Sequence, residues 1–221
     1  MARYEKGKSH QLSKNFNSKE FDCHGRHCCS ETPINDKLVE VLQNIRDHYN
    51  LSVNINCGYR CPYHNARVSG ASATSRHMRG DAADIHIEGI HPYRIARYAE
   101  TIPGFVGRIG CYTWGQNNGF VHIDIRETSN RGIYTEGNVR SDAVASFSLP
   151  VTKGTKGRIV KVVQRFLKEQ RDEQGNRLYA GRIDGSCGNG TTAAINKWND
   201  MHGRHNYNIW DITCWDEAYP I

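Results

Sequence analysis

The sequence predicts an α+β chain built as two units, and three observations carry that reading. Two short stretches alternate apolar and polar residues with a period of two. Other stretches repeat apolar residues at helical spacing. Between Glu127 and Ser148 runs a Gly-, Ser- and Asn-containing segment of weak periodicity. The 221 residues suffice for one good domain or two small ones. The expected division is a first unit over 1–130, a linker over 131–150 and a second unit over 151–221.

In chain order, Leu38, Val41, Leu42, Ile45 and Tyr49 form a helical stripe, and Asp36 suits its first turn. Leu51, Val53, Ile55 and Cys57 then alternate with Ser52, Asn54 and Asn56, as in a half-buried strand. Gly58-Tyr59-Arg60 leaves that strand as a turn. A short helix is expected from Pro62 to Val68, ended by Ser69-Gly70. In Ala83–Ile87 the isoleucines point one way, and Asp84 and His86 the other. In Val121–Arg126 the same alternation leaves His122, Asp124 and Arg126 on one face. A helix is expected between these strands, from Pro92 to Ile102. A sheet packed on helices by one face and lined with His and Asp on the other is a candidate active-site floor. In the second unit, Ile159, Val162, Val163, Phe166 and Leu167 mark an amphipathic helix. A turn-rich stretch over Tyr179–Gly185 follows, then a helix from about Thr191 to Met201.

Composition excludes several classes. Hydrophobic residues at 38% and charged residues at 24% describe a globular chain, not a disordered, collagenous or coiled-coil one. No apolar run approaches the roughly 18 residues of a membrane span, so no membrane insertion is expected. The net charge of +6 is evenly spread: 11 Lys and Arg face 8 Asp and Glu from Leu149 onward, against 18 and 15 before it. Without a block of like charge, no nucleic-acid partner is expected, although a mildly basic chain is drawn to an anionic polymer. Met1–His10 carries charge with no apolar stretch behind it, which reads as no signal peptide and synthesis in the cytoplasm. A monomer is expected.

Five of the eight cysteines precede residue 62: Cys23, Cys28, Cys29, Cys57 and Cys61. Three states stay open for them. They are free buried thiols, a disulfide pair, or a second metal site with His24 or His27, although no C-x-x-C pair is present.

The strongest chemical signal is Ser75-Arg76-His77-Met78-Arg79-Gly80-Asp81-Ala82-Ala83-Asp84, with the frame S-x-H-x-x-G-x-A-x-D. His77 offers an imidazole and Asp84 a carboxylate, both suitable zinc ligands. Gly80 permits the tight turn that returns a loop His beside a strand Asp, and Ala82 leaves space. His122, on the polar face of the later strand, is the best third ligand. Three protein ligands leave a fourth zinc position to water, as catalytic sites require, and zinc brings that water's pKa to roughly 7.

These residues resemble the zinc D-alanyl-D-alanine metallopeptidase family, whose members cut peptidoglycan stem peptides and share a fold with the hedgehog signalling domain. The likeness runs from about Leu12 to Arg126. It includes Leu12-Ser13-Lys14-Asn15-Phe16, Glu20-Phe21, Gly58-Tyr59-Arg60, His64-Asn65, the S-x-H-x-x-G-x-A-x-D frame and Gly119-Phe120-Val121-His122-Ile123-Asp124. The resemblance implies a small, mainly antiparallel sheet, Zn2+ held by His77, Asp84 and His122, and an Arg60 that binds substrate or stabilises an oxyanion. Ser75 is a candidate substrate-side or turn hydroxyl. Several branches carry Glu or Asp three residues before the last His, and here that position is Gly119. Asp124 is the nearest carboxylate by sequence. Two roles stay open for it, the catalytic base and the acceptor that orients a ligand imidazole.

In the second unit, Gln164, Leu167, Asp184-Gly185, Gly188, Thr191 and Ala194 resemble the small three-helix peptidoglycan-binding domain, in the frame Q-x-x-L, D-G-x-x-G, T-x-x-A. The two likenesses together imply a zinc-dependent peptidoglycan peptidase with bacterial peptidoglycan as its partner. They suggest a phage endolysin, made in the host cytoplasm and acting at the wall after release. The competing class is a non-catalytic, zinc-stabilised wall-binding or virion structural protein.

Overall fold

The computed structural model of the chain describes residues 1–105, 107–112, 119–126, 133–135, 147 and 150–221. The backbone divides into two compact units, one over Met1–Arg131 and one over Val139–Ile221, with Gly132–Thr135 grouped in the second. Most of the stretch expected as a linker, 131–150, lies outside the described residues. No helix among the described residues is long and apolar enough to cross a membrane.

The first unit is α+β. Strand β1 (Ala2–Glu5) pairs antiparallel with β2 (Glu31–Ile34), and between them a short 3-10 turn covers Ser18–Phe21. Helix α1 (Asp36–Tyr49) begins where the Asn35 side chain accepts from the Lys37 amide, and ends at Asn50, left-handed at φ 50°. Its buried stripe holds Leu38, Val39, Val41, Leu42 and Ile45. Strand β3 (Val53–Cys57) follows, then the four-residue helix α2 (Pro62–Asn65). The helix expected to reach Val68 stops there because the chain tightens into i→i+3 turns, with Arg67 donating to the His64 carbonyl and Val68 to that of Asn65. Strand β4 (Ala82–Ile87), helix α3 (Pro92–Thr101), strand β5 (Arg108–Tyr112) and strand β6 (Phe120–Asp124) complete the layout.

In the central sheet β3, β4, β6 and β5 lie in that order, each antiparallel to its neighbour. Ile85, Ile87, Ile109, Val121 and Ile123 are almost wholly buried. Each contributes roughly 1.5–3 kcal/mol of transfer free energy. Strand β5 and the β1–β2 pair were not foreseen. Strand β5, Arg-Ile-Gly-Cys-Tyr, buries three consecutive residues and so lacks the alternation that marks a half-exposed strand.

The second unit, after the three-residue strand β7 (Ile133–Thr135), joins β8 (Val151–Thr152) to β9 (Ile209–Trp210) and carries three helices. They are α4 (Arg158–Glu169), α5 (Asn189–Met201) and α6 (Ile212–Ala218). Its core is aromatic: the Phe166 ring meets Trp198 at 4.8 Å and Trp210 at 5.5 Å, and Trp210 meets Trp215 at 5.3 Å. Helix α6 was not foreseen. Asp211 caps it through the amides of Thr213 and Cys214.

The motif of this unit closes on one side chain. Gln164, fully buried on α4, sets its two Nε2 hydrogens among Asp184 Oδ1 (2.8 Å), Thr191 Oγ1 (3.0 Å) and the Ser186 carbonyl (3.1 Å), and its oxygen accepts from the Gly185 amide (2.9 Å). Helix, turn and second helix are thus joined by a single amide.

Candidate metal centre

The pairing of β4 with β6 sets Asp84 directly opposite His122, on the face away from the isoleucines. Asp84 Oδ1 lies 2.8 Å from His122 Nδ1. His77 arrives from a 3-10 turn, Arg76–Arg79, that ends at Gly80 with φ 70°. A Cβ on Gly80 would collide with the Pro33 carbonyl, so the return into β4 requires glycine both for its φ and for the close approach. His77 Nε2 then sits 3.2 Å from His122 Nδ1 and 3.4 Å from Asp84 Oδ1.

This triangle of two nitrogens and one oxygen has the size of a zinc face. Tetrahedral zinc with N and O ligands at roughly 2.0–2.1 Å separates neighbouring ligand atoms by about 3.4 Å. The site is closed on one side and open on the other: the His77 side chain is 3% exposed, against 18% for Asp84 and 20% for His122.

The outer nitrogens are held. His77 Nδ1 donates to the Gly58 carbonyl at 2.8 Å; the carbonyl only accepts, which leaves the Nε2 lone pair for the triangle. Cys57 Sγ is 3.7 Å from that same Nδ1. Cys57 also groups with His77 and Asp84 as a candidate ligand. His122 Nε2 faces Asp124 Oδ2 at 3.4 Å. Asp124 has no solvent exposure, and Arg126 grips it through Nε (2.8 and 2.9 Å) and Nη2 (2.5 Å). On the other flank of β6, Gly110 pairs with His122 in register, and a Cβ there would press on the His122 Cβ at 3.0 Å.

Burial alone would raise both carboxyls and depress both imidazoles, but opposite charge wins throughout. Asp84, between the two rings, stays well below the usual carboxylate range. Asp124, bonded to His122 and Arg126, is held to about 2. The Asp84 carboxylate lifts His77 to about 9, and Asp124 and Asp84 together lift His122 to about 9. The metal-free chain therefore holds protons that a divalent cation would displace.

Arg60 follows β3, and its amide donates to the His77 carbonyl at 3.1 Å. Its guanidinium Nη2 donates to Ser75 Oγ at 3.2 Å, while its buried Nε–H has no hydrogen-bond partner among the described residues. His86, on the Asp84 face, bonds Asn56 Oδ1 at 2.6 Å and stands apart from the triangle. The Arg126 grip on Asp124, Gly110 and the Gly58 carbonyl were not foreseen from the residue pattern. Of these only Arg126 left a trace, in the H-x-D-x-R alternation of β6.

Residues 14–124, half of the chain, match the family model described as Peptidase M15. The protein belongs to this family of zinc metallopeptidases. No curated protein and no solved structure matches it.

Proposed function

We propose that this chain is a zinc peptidase that cleaves stem peptides of bacterial peptidoglycan, with His77 Nε2, Asp84 Oδ1 and His122 Nδ1 as the zinc ligands. The observation that carries the ligand set is the 2.8–3.4 Å triangle, whose outer nitrogens are tied and whose inner ones converge. Zinc in such a site supplies a bound water of lowered pKa and polarises the scissile carbonyl. Arg60, steadied by Ser75, holds either the oxygen that becomes negative or a carboxylate of the peptide. Of the two roles open to Asp124, complete burial and the Arg126 grip support the orienting one: it fixes the His122 ring and does not shuttle protons.

The second unit serves in this reading as a wall-binding module that raises the local substrate concentration. A wall peptidase coupled to such a module suits a phage endolysin acting at the cell wall. The bond is a D,D-carboxypeptidase or endopeptidase site, or the L-Ala-D-Glu bond. Gly119, where several branches carry an acid, favours the second reading, a zinc-stabilised wall-binding or virion structural protein without hydrolysis.

Mass spectrometry of purified peptidoglycan after incubation with the protein, with and without a chelator, separates the two. Release of fragments that stops with chelator and in His122→Ala supports the peptidase, and the new termini name the bond. Intact wall with folded, zinc-loaded protein supports the binding protein.

A further inference from the structure

Away from the His and Asp triangle, four cysteines converge from three parts of the first unit. Cys23 follows the Ser18–Phe21 turn, Cys28 and Cys29 lie in the loop leading to β2, and Cys61 opens α2. Their sulfurs all lie within 4.8 Å of one another. Cys23 Sγ is 3.5 Å from Cys28 Sγ, and Cys28 Sγ is 3.8 Å from Cys29 Sγ. A disulfide needs about 2.05 Å, and all four cysteines are free. Tetrahedral zinc with Zn–S bonds of about 2.3 Å sets neighbouring sulfurs about 3.8 Å apart. The sulfurs are too close together to enclose an iron–sulfur cluster, which leaves a single soft ion.

We propose that Cys23, Cys28, Cys29 and Cys61 form a second, structural zinc site.

Several features around the sulfurs fit a built site. The amide of Cys61 donates to Cys23 Sγ and the amide of His64 to Cys61 Sγ, both at 3.4 Å, and such donors favour thiolate charge. His64 Nδ1 lies 3.3 Å from Cys23 Sγ, in reach of a sulfur lone pair. Gly25 passes so close that a Cβ there would lie 2.5 Å from Cys28 Sγ. His27, immediately before Cys28, has a left-handed φ of 48°, a conformation non-glycine residues adopt where the surroundings impose it. His24 and His27, the histidines nearest in sequence, are exposed and outside the group; the fourth ligand comes from Cys61.

The placement gives the site a task. Cys61 directly follows Arg60, whose amide bonds the His77 carbonyl, and Gly58 just before it holds the His77 ring. Tyr59 between them donates to the Phe21 carbonyl at 2.7 Å, two residues before Cys23. Zinc on the four thiolates would thus pin the Cys61 end of the segment that carries Arg60 and, through Cys23, brace the Phe21 carbonyl that holds Tyr59.

The test measures metal, not hydrolysis, so it stands whether or not the peptidase reading does. Elemental analysis of the full chain, purified under reducing conditions with zinc, is expected to find two zinc ions per chain. One should remain in His122→Ala, and one in Cys28→Ser/Cys29→Ser. Cobalt(II) in place of zinc should give an intense thiolate-to-metal charge-transfer band that persists in His122→Ala. If the double variant does not fold, the wild-type and His122→Ala spectra decide. A single zinc with no such band, a band that disappears in His122→Ala, or an intact mass showing disulfides among these cysteines would overturn the proposal.

Discussion

In the first unit the residues of the spaced motif meet through ionisable atoms, while in the second they meet through an amide. His77, Asp84 and His122 converge with opposite charges 2.8–3.4 Å apart, on a face that is part-exposed. Gln164, Asp184, Gly185 and Thr191 converge on a side chain with no charge and no exposure. As spacings, the His and Asp frame is the more specific of the two motifs. The first set holds protons on two neighbouring rings through their carboxylates, and a cation entering the triangle must displace them. The second set satisfies buried polar groups and costs nothing further. A motif of the second kind identifies a fold, and any binding by that unit must come from its surface.

The sharpest way to break this contrast is Gln164→Leu. It leaves the Gly185 amide without its acceptor and takes a donor from Asp184 Oδ1 and Thr191 Oγ1, and a buried group left unsatisfied costs about 1–3 kcal/mol. Calorimetry should show the second unit losing about 3 kcal/mol or more, with zinc content unchanged. Lost retention on peptidoglycan at full stability would instead make Gln164 part of a recognition surface.

Proton linkage at the two rings of the first unit gives the next effect. His77 and His122 have folded values near 9 against about 6.5 unfolded, so their protonated forms stabilise the metal-free fold fully below about pH 6.5. That stability is lost as pH rises through 9. Because both rings share Asp84, the loss should be roughly 3 kcal/mol and not twice that. Chelator-treated protein should melt lower at pH 9.5 than at 6.5 in its first unit, with the shift absent when zinc is bound. A pH-independent first transition without metal would mean the rings are neutral in the fold.

Asp124→Asn tests the orienting role. Removing a carboxylate that fixes a ligand imidazole costs about 10- to 100-fold in metal affinity or activity. The zinc dissociation constant should therefore rise together with the loss of hydrolysis. Lost turnover at unchanged zinc affinity would restore Asp124 as the proton carrier.

How much of this was legible depends on whether the signal was local. Alternation in Ala83–Ile87 and Val121–Arg126 gave both strands and the face of each His and Asp, because side-chain direction in a strand has a period of two. It could not give the partner across the sheet, which the register sets, nor the burial of Asp124, which depends on Arg126 folding back over it. The cysteines were visible as a crowd, but their grouping was not. Cys61 joins Cys23 only because α2 begins beside the Ser18–Phe21 turn, and His24 and His27 lost the place that adjacency had offered them. Strand β5 was invisible because three consecutive buried residues leave no alternation to read.

The smallest effect is the one that bears on which bond is cut. Ser75 Oγ accepts one guanidinium hydrogen of Arg60, and the buried Arg60 Nε–H meets no acceptor among the described residues. Ser75→Ala removes about 1 kcal/mol of positioning, roughly a fivefold loss in kcat/KM, with zinc content unchanged. The parameter that carries the loss separates the two tasks of Arg60. If the guanidinium grips the terminal carboxylate of a stem peptide, the loss falls on KM and is confined to substrates with that carboxylate free, since an amidated peptide never made the contact. If it steadies the developing oxyanion, the loss falls on kcat and is the same for free and amidated peptides, because that charge appears only in the transition state. Unchanged kinetics on both substrates would place Ser75 outside the site and leave Arg60 held by its backbone bond to His77 alone.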